Sequence, residues 1–182
     1  EPNPTGVTVF KKIVPLNLCE ELISTFNQNE NTPEVIENVY AENQNVLCKC
    51  IDITTHDKYK HVDQKVYKVV QHITKKLVAK NGFLTFSKDT GYHLRKIHGA
   101  TRIHSDGIGP RAINGKEFRN ISLIMALNSN YEGGVFKFPL QNLELRLEQG
   151  DIICFPVYAT HPHEVSAPTN GVRYTINTWL LE

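Results

Sequence analysis

The sequence has no apolar run approaching the roughly 18 residues of a membrane-spanning helix, so no membrane-spanning helix and no membrane partner are expected for it. It has no internal repeat, no low-complexity tract and no Gly/Ser-rich linker, so one continuous domain over residues 1–182 is expected. Cysteine is sparse. Cys19, Cys48, Cys50 and Cys154 are the four present, and the Cys48/Cys50 pair lacks the spacing of a zinc knuckle or a redox dithiol. Four reduced thiols in an intracellular, cytoplasmic protein are the expectation. The chain starts at Glu1 rather than Met, as expected of a trimmed or mature form.

What is present suits a water-facing globule with a sizeable core: 182 residues, 40% hydrophobic and 21% charged. The net charge of +1 hides an uneven spread. Residues 1–48 hold two Lys against seven acids. Residues 49–102 hold twelve Lys/Arg against four acids, and residues 103–182 hold six against eight. The basic middle could attract an acidic partner, or it could be a solvated helix face.

The part from about 15 to 82 reads as helical. Asn17 is placed to cap a helix with Glu20 as reciprocal partner, and Leu18, Leu22, Ile23 and Phe26 form its apolar stripe. A second helix follows Asp63, with Val66, Val69, Val70, Ile73 and Leu77 on one face and Asn81-Gly82 as its stop. From about 83 to 182 the period changes. LTFS, YHLRKI, ISLIMALN, VFKFPL, LELRL, DIICFP, EVSAP and RYTINTWLL are short, β-rich segments, with YEGG and LEQGD as tight turns. Helices first and strands second give an α+β, mainly β fold: an antiparallel sandwich or barrel buttressed by N-terminal helices.

The chemistry lies on those strands. His104 and Asp106 are two residues apart, so at a strand end both reach one side and can grip one ion at about 2.0–2.2 Å. A third ligand must come from elsewhere, and His161 and His163 are the candidates. Two histidines and a carboxylate on one side of an ion form the facial triad of non-haem Fe(II) oxygenases, although zinc hydrolases use similar sets. In RYTINTW, Arg173, Thr175, Asn177 and Trp179 share a face. An inward arginine calls for an anion and suits the far carboxylate of a keto acid; the alternative is a rim arginine paired with a local Glu. The Gly-rich GIGPRAINGKE at 107–117 reads as a mobile lid or as an inert surface connection.

These residues resemble the prolyl 4-hydroxylase-type 2-oxoglutarate/Fe(II) dioxygenases, built on a double-stranded β-helix (jelly-roll) core. The resemblance covers roughly residues 84–182. It rests on HSD at 104–106, ISLIMALNSNYEGGVFKF at 121–138, GDIICFP at 150–156 and HEVSAPTNGVRYTINTWL at 163–180. More weakly, PLNLCEELISTF looks like the helix that precedes the family's core. In relatives the distal histidine precedes a valine by two and the anion-binding residue by ten, as His163 precedes Val165 and Arg173. The resemblance therefore implies His104, Asp106 and His163 as metal ligands, with Arg173 and Thr175 on 2-oxoglutarate. Many relatives carry a cosubstrate-touching tyrosine on the strand before H-x-D. Here that place falls near Arg95 or Lys96, leaving Tyr92 as either a cosubstrate contact or a core filler.

The cofactors implied are Fe(II), 2-oxoglutarate and O2, with ascorbate as a further reductant. The implied reaction hydroxylates a C–H bond and releases succinate and CO2. A proline-containing polypeptide is the first expectation for the substrate. A small molecule is the alternative within the same chemistry. An AlkB-type nucleic-acid demethylase would need a second arginine at the position of Trp179, so nucleic acid is not expected as a partner. A non-catalytic jelly roll would have no use for the complete ligand set, and a zinc hydrolase none for Arg173 and Thr175.

Overall fold

The structure, a computed structural model, describes residues 5–82, 84–107 and 118–181. In chain order these form β1 (Thr8–Phe10), α1 (Leu16–Asn29), β2 (Val35–Val39), β3 (Val46–Asp52), α2 (Lys60–Lys80), β4 (Lys88–Asp89), β5 (His93–Ile97) and β6 (Thr101–His104). After them come β7 (Arg119–Ala126), β8 (Glu132–Gly133), β9 (Val135–Phe138), β10 (Leu143–Arg146), β11 (Ile152–Pro156), β12 (His163–Val165), β13 (Pro168–Thr169) and β14 (Arg173–Leu181). An eight-stranded sheet runs β1-β11-β7-β14-β5-β3-β2, with β4 also on β14. A smaller sheet runs β10-β9-β12-β6, and β8 pairs with β13. Every described pairing is antiparallel, which gives the expected α+β jelly roll.

The large sheet buries both faces. Tyr174, Ile176 and Leu180 of β14, with Leu94 of β5 and Leu123 and Met125 of β7, pack against α1 and α2 through Leu22, Phe26, Val66, Val70 and Ile73. The opposite face carries Ala126, Ile153 and Phe155, which meet Phe136, Phe138 and Val165 of the small sheet. Strand periodicity thus sorts β14 into an apolar row under the helices and a polar row of Arg173, Thr175 and Asn177 inside the jelly roll.

Several expectations need correction. Helix α1 starts at Leu16, and Pro15, not Asn17, is the capping residue, without a side-chain cap bond. The chain is held there by the amides of Ile13 and Val14, which donate to Gly150 O at 2.8 and 3.0 Å, so a tertiary contact sets the helix start. Helix α2 begins at Lys60, before Asp63, and runs to Lys80, with Asn81 as its C-cap as anticipated. The segment expected to be helical also contains β2 and β3, which extend the large sheet beyond β5. LTFS is not a strand, and part of YEGG forms β8. All four cysteines are free and buried. Among the described residues no helix is long and apolar enough to cross a membrane.

Candidate metal and anion site

His104 is the last residue of β6 and His163 the first of β12, and the two stand opposite each other in the ladder. Their rings are 4.5 Å apart. Asp106 lies two residues past His104, so its carboxylate swings inside the jelly roll. Its Oδ1 is 3.1 Å from His104 Nε2 and 3.7 Å from His163 Nε2. All three ligand atoms lie within 4.8 Å of one another. Ligand atoms about 2.1 Å from an ion at right angles would be about 3.0 Å apart, close to the first of these distances.

The surroundings orient each donor. His104 Nδ1 is 2.7 Å from Arg102 O, and His163 Nδ1 is 3.1 Å from His161 O. Each backbone carbonyl accepts the Nδ1 proton, which turns the other ring nitrogen toward Asp106. Asp106 Oδ2 accepts from Ser122 Oγ and, at 3.2 Å, from Trp179 Nε1. Burial works to raise the Asp106 pKa, but the bonds from His104 and Ser122, the nearby His163 and the Trp179 bond outweigh it and hold the carboxyl at about 2. The bond to Asp106 raises the His104 pKa, against the effect of burial. Burial lowers that of His163. The histidines differ in access: 39% of the His104 side chain is exposed against 4% for His163.

Arg173 opens β14 on the same interior face. It is 5% exposed, its Nε has no partner, and its guanidinium sits 5.4 Å from the Phe136 ring centroid. Among the described residues no carboxylate pairs with it, so the rim-arginine alternative does not hold. Burial draws its pKa down to about 10, which leaves it charged at neutral pH. Gly134 makes room for it: a Cβ there would lie 2.6 Å from the Tyr131 ring and 3.4 Å from Arg173 Cδ. Thr175, two residues along, donates to Asn177 Oδ1 at 2.6 Å.

The other expected residues lie elsewhere. His161 has both ring nitrogens occupied, by Thr160 Oγ1 at 2.9 Å and Thr5 O at 2.8 Å. Tyr92 is not brought to this face. It sits in the helix-side core and donates to Asp89 Oδ2 at 2.6 Å, and burial pushes its phenol pKa up. Strand parity explains this, because Tyr92 shares the helix-facing row with Leu94. The lid expected at 107–117 falls, apart from Gly107, outside the described residues. Sequence reasoning missed Ser122 and the bond from Trp179 to Asp106. The two stand opposite each other on β7 and β14, and the only signal was that both occupy inward positions of their strands.

Residues 92–181, which contain every residue of this cluster, match the model of the 2OG-Fe(II) oxygenase superfamily. The chain belongs to that superfamily and is a 2-oxoglutarate/Fe(II)-dependent dioxygenase that uses Fe(II), 2-oxoglutarate and O2. Its fold is similar to that of solved prolyl hydroxylases. A prolyl hydroxylase from Trichoplax adhaerens, in complex with a hypoxia inducible factor oxygen degradation domain peptide fragment, aligns at TM-score 0.77 and 16% identity, over 98% of this chain and 84% of that one. A viral collagen prolyl hydroxylase from Paramecium Bursaria Chlorella virus-1, as a 2-oxoglutarate complex, aligns at 0.68 and 15%, over 97% and 95%. A Pseudomonas putida prolyl-4-hydroxylase aligns at 0.68 and 17%, over 97% and 92%. Comparison with curated protein sequences gives no match.

Proposed function

We propose that this chain hydroxylates a prolyl residue of a polypeptide, with His104, Asp106 and His163 holding Fe(II) and Arg173, aided by Thr175, holding the far carboxylate of 2-oxoglutarate. The donor set fits the ion: two imidazole nitrogens freed by backbone-bound partners and an ionised carboxylate, on one side of a shared point. When bound, iron supplies the oxidative decarboxylation of 2-oxoglutarate that is coupled to insertion of oxygen into a C–H bond. The protein's part is to orient and exclude. Ser122 and Trp179 fix the Asp106 carboxylate, and Phe138 and Phe155 pack around the His163 ring at centroid distances of 5.5 and 4.6 Å, keeping water from that side.

The observation that carries the reading is Arg173. A buried guanidinium without a counter-ion costs stability unless an anion completes it. A diacid with one end at the iron meets that need, and a planar guanidinium matches a carboxylate with two parallel bonds. The polypeptide substrate is supported by the three prolyl hydroxylases of like fold, one of them with a peptide bound. The reading of residues 1–182 as one domain is supported by the large sheet, in which β2 and β3 from the first third continue β5 and β14.

The test is succinate release under O2 with a panel of proline peptides, using His163→Ala as the blank. Turnover that depends on peptide and iron, and is lost in the variant, is expected. Normal turnover by the variant would remove His163 from the ligand set. Anaerobic addition of Fe(II) and 2-oxoglutarate should give a visible charge-transfer band, and its absence would count against chelation at this site.

A further inference from the structure

We propose that the polypeptide substrate is acidic, with a carboxylate near the hydroxylated residue met by Arg95 and Arg119 beside the metal cluster. This deepens the reading above and rests on it. Arg95 stands opposite Thr175 of β14 on one side and Cys50 of β3 on the other, so it faces the jelly-roll interior, diagonal to Arg173. Its Nε is buried without a partner. The Arg119 guanidinium lies 3.9 Å over the Trp179 ring, whose indole N–H is bonded to Asp106. Among the described residues neither arginine has an ion pair.

Among the described residues the acids within reach are already committed. Asp106 serves His104, Ser122 and Trp179, and its charge, shared among them, also acts on Arg119 without pairing with it. Asp52, opposite His93, accepts the amides of Thr54 and Thr55 at 3.0 and 3.1 Å. His93, at the edge of the Trp179 ring, adds no negative charge. A ferrous ion and Arg173 are together balanced by Asp106 and the two carboxylates of 2-oxoglutarate. Arg95 and Arg119 remain, two half-buried cations facing the space where a substrate must lie. Guanidiniums in such a place are completed by carboxylates. A phosphodiester strand is the poorer occupant. The lysines that could follow one, such as Lys65, Lys68, Lys75 and Lys76, lie on α2, behind the large sheet.

The experiment uses anaerobic protein with Fe(II) and 2-oxoglutarate, and two peptides that share one proline. One is flanked by Asp and Glu, the other by Asn and Gln. Trp179 is the chain's only tryptophan, so its fluorescence reports events beside Arg119. The acidic peptide is expected to bind about tenfold more tightly at low salt, with the preference shrinking as salt rises. Arg95→Gln and Arg119→Gln should each reduce the preference, the double variant should abolish it, and Lys at either position should restore part of it. The affinity for 2-oxoglutarate, titrated the same way, should not move. Equal binding of the two peptides overturns the inference. So does loss of 2-oxoglutarate affinity in Arg95→Gln, or displacement of the acidic peptide by a single-stranded oligonucleotide at equal concentration. Admitting O2 and locating the added oxygen by mass spectrometry separates the two ideas. Equal binding with hydroxylated proline keeps the prolyl reading and sinks the acidic one; acidic preference with oxygen on another residue does the reverse.

Discussion

A guanidinium sealed inside a jelly roll without a counter-ion is a liability to the apo protein, and among the described residues Arg173 is such a group. Replacing it by methionine keeps the bulk and removes the desolvation cost. Arg173→Met is therefore expected to unfold at an equal or higher denaturant midpoint than the parent, while its affinity for 2-oxoglutarate falls by at least about 100-fold, the worth of a charge-assisted pair inside a protein. Denaturant titration and 2-oxoglutarate titration check the two halves. Asp106 gives a pH signature. Its folded pKa, about 2, lies below the ordinary carboxyl value of 3.8. The native state therefore binds the proton less readily than the unfolded chain, and the stabilisation is complete above the ordinary value. It fades as pH falls through about 2. Asp106→Asn should flatten that part of the stability-versus-pH curve of the metal-free protein.

At the level of elements, β14 shows how one nine-residue strand serves two layers. Its even-numbered apolar residues seat the helices, and its odd-numbered polar ones furnish the site. Leu22 is fully buried where α1 meets α2 and the large sheet, and Leu22→Ala is expected to cost about 2–5 kcal/mol in chemical denaturation. Gly134, at φ +65°, stands behind Arg173. Gly134→Ala should cost about 1–3 kcal/mol through the left-handed backbone and the crowded Tyr131 ring, and should weaken 2-oxoglutarate binding alongside. From β5 onward the longer strands were legible because alternation and turn residues mark them, whereas Glu132–Gly133 of β8 lies in what reads as a tight turn. β2 and β3 were not. Val35–Val39 is almost wholly exposed along its length, and Val46–Asp52 is a strand because β5, distant in sequence, pairs with it. The cluster was legible in part: the two-residue spacing brings His104 and Asp106 to one side and strand alternation turns Arg173 inward, while the choice of His163 over His161 came from the family resemblance. Ser122 and Trp179 gather on Asp106 only once β7 and β14 pair, which no local pattern announces.

For the whole molecule, the described residues form two main sheets and a short β8–β13 ribbon, backed by helices, and the ends of α1 are tied to the structure at several points. Glu30, just past the last turn of α1, accepts from Lys49 of β3 at 3.2 Å and Lys96 of β5 at 2.8 Å, which lowers its pKa. The proposed metal ligands are divided between the layers. His104 and His163 belong to the small sheet, while Asp106 leans on Ser122 and Trp179 of the large one. An ion held by all three would rivet the layers together, so its grip should be felt well beyond its neighbours. Manganous ion alone, with no diacid added, should slow amide hydrogen exchange along β6, β12 and the adjoining end of β14 and leave α2 unchanged. Uniform slowing, or none, would mean that the two layers do not depend on the ion to stay closed.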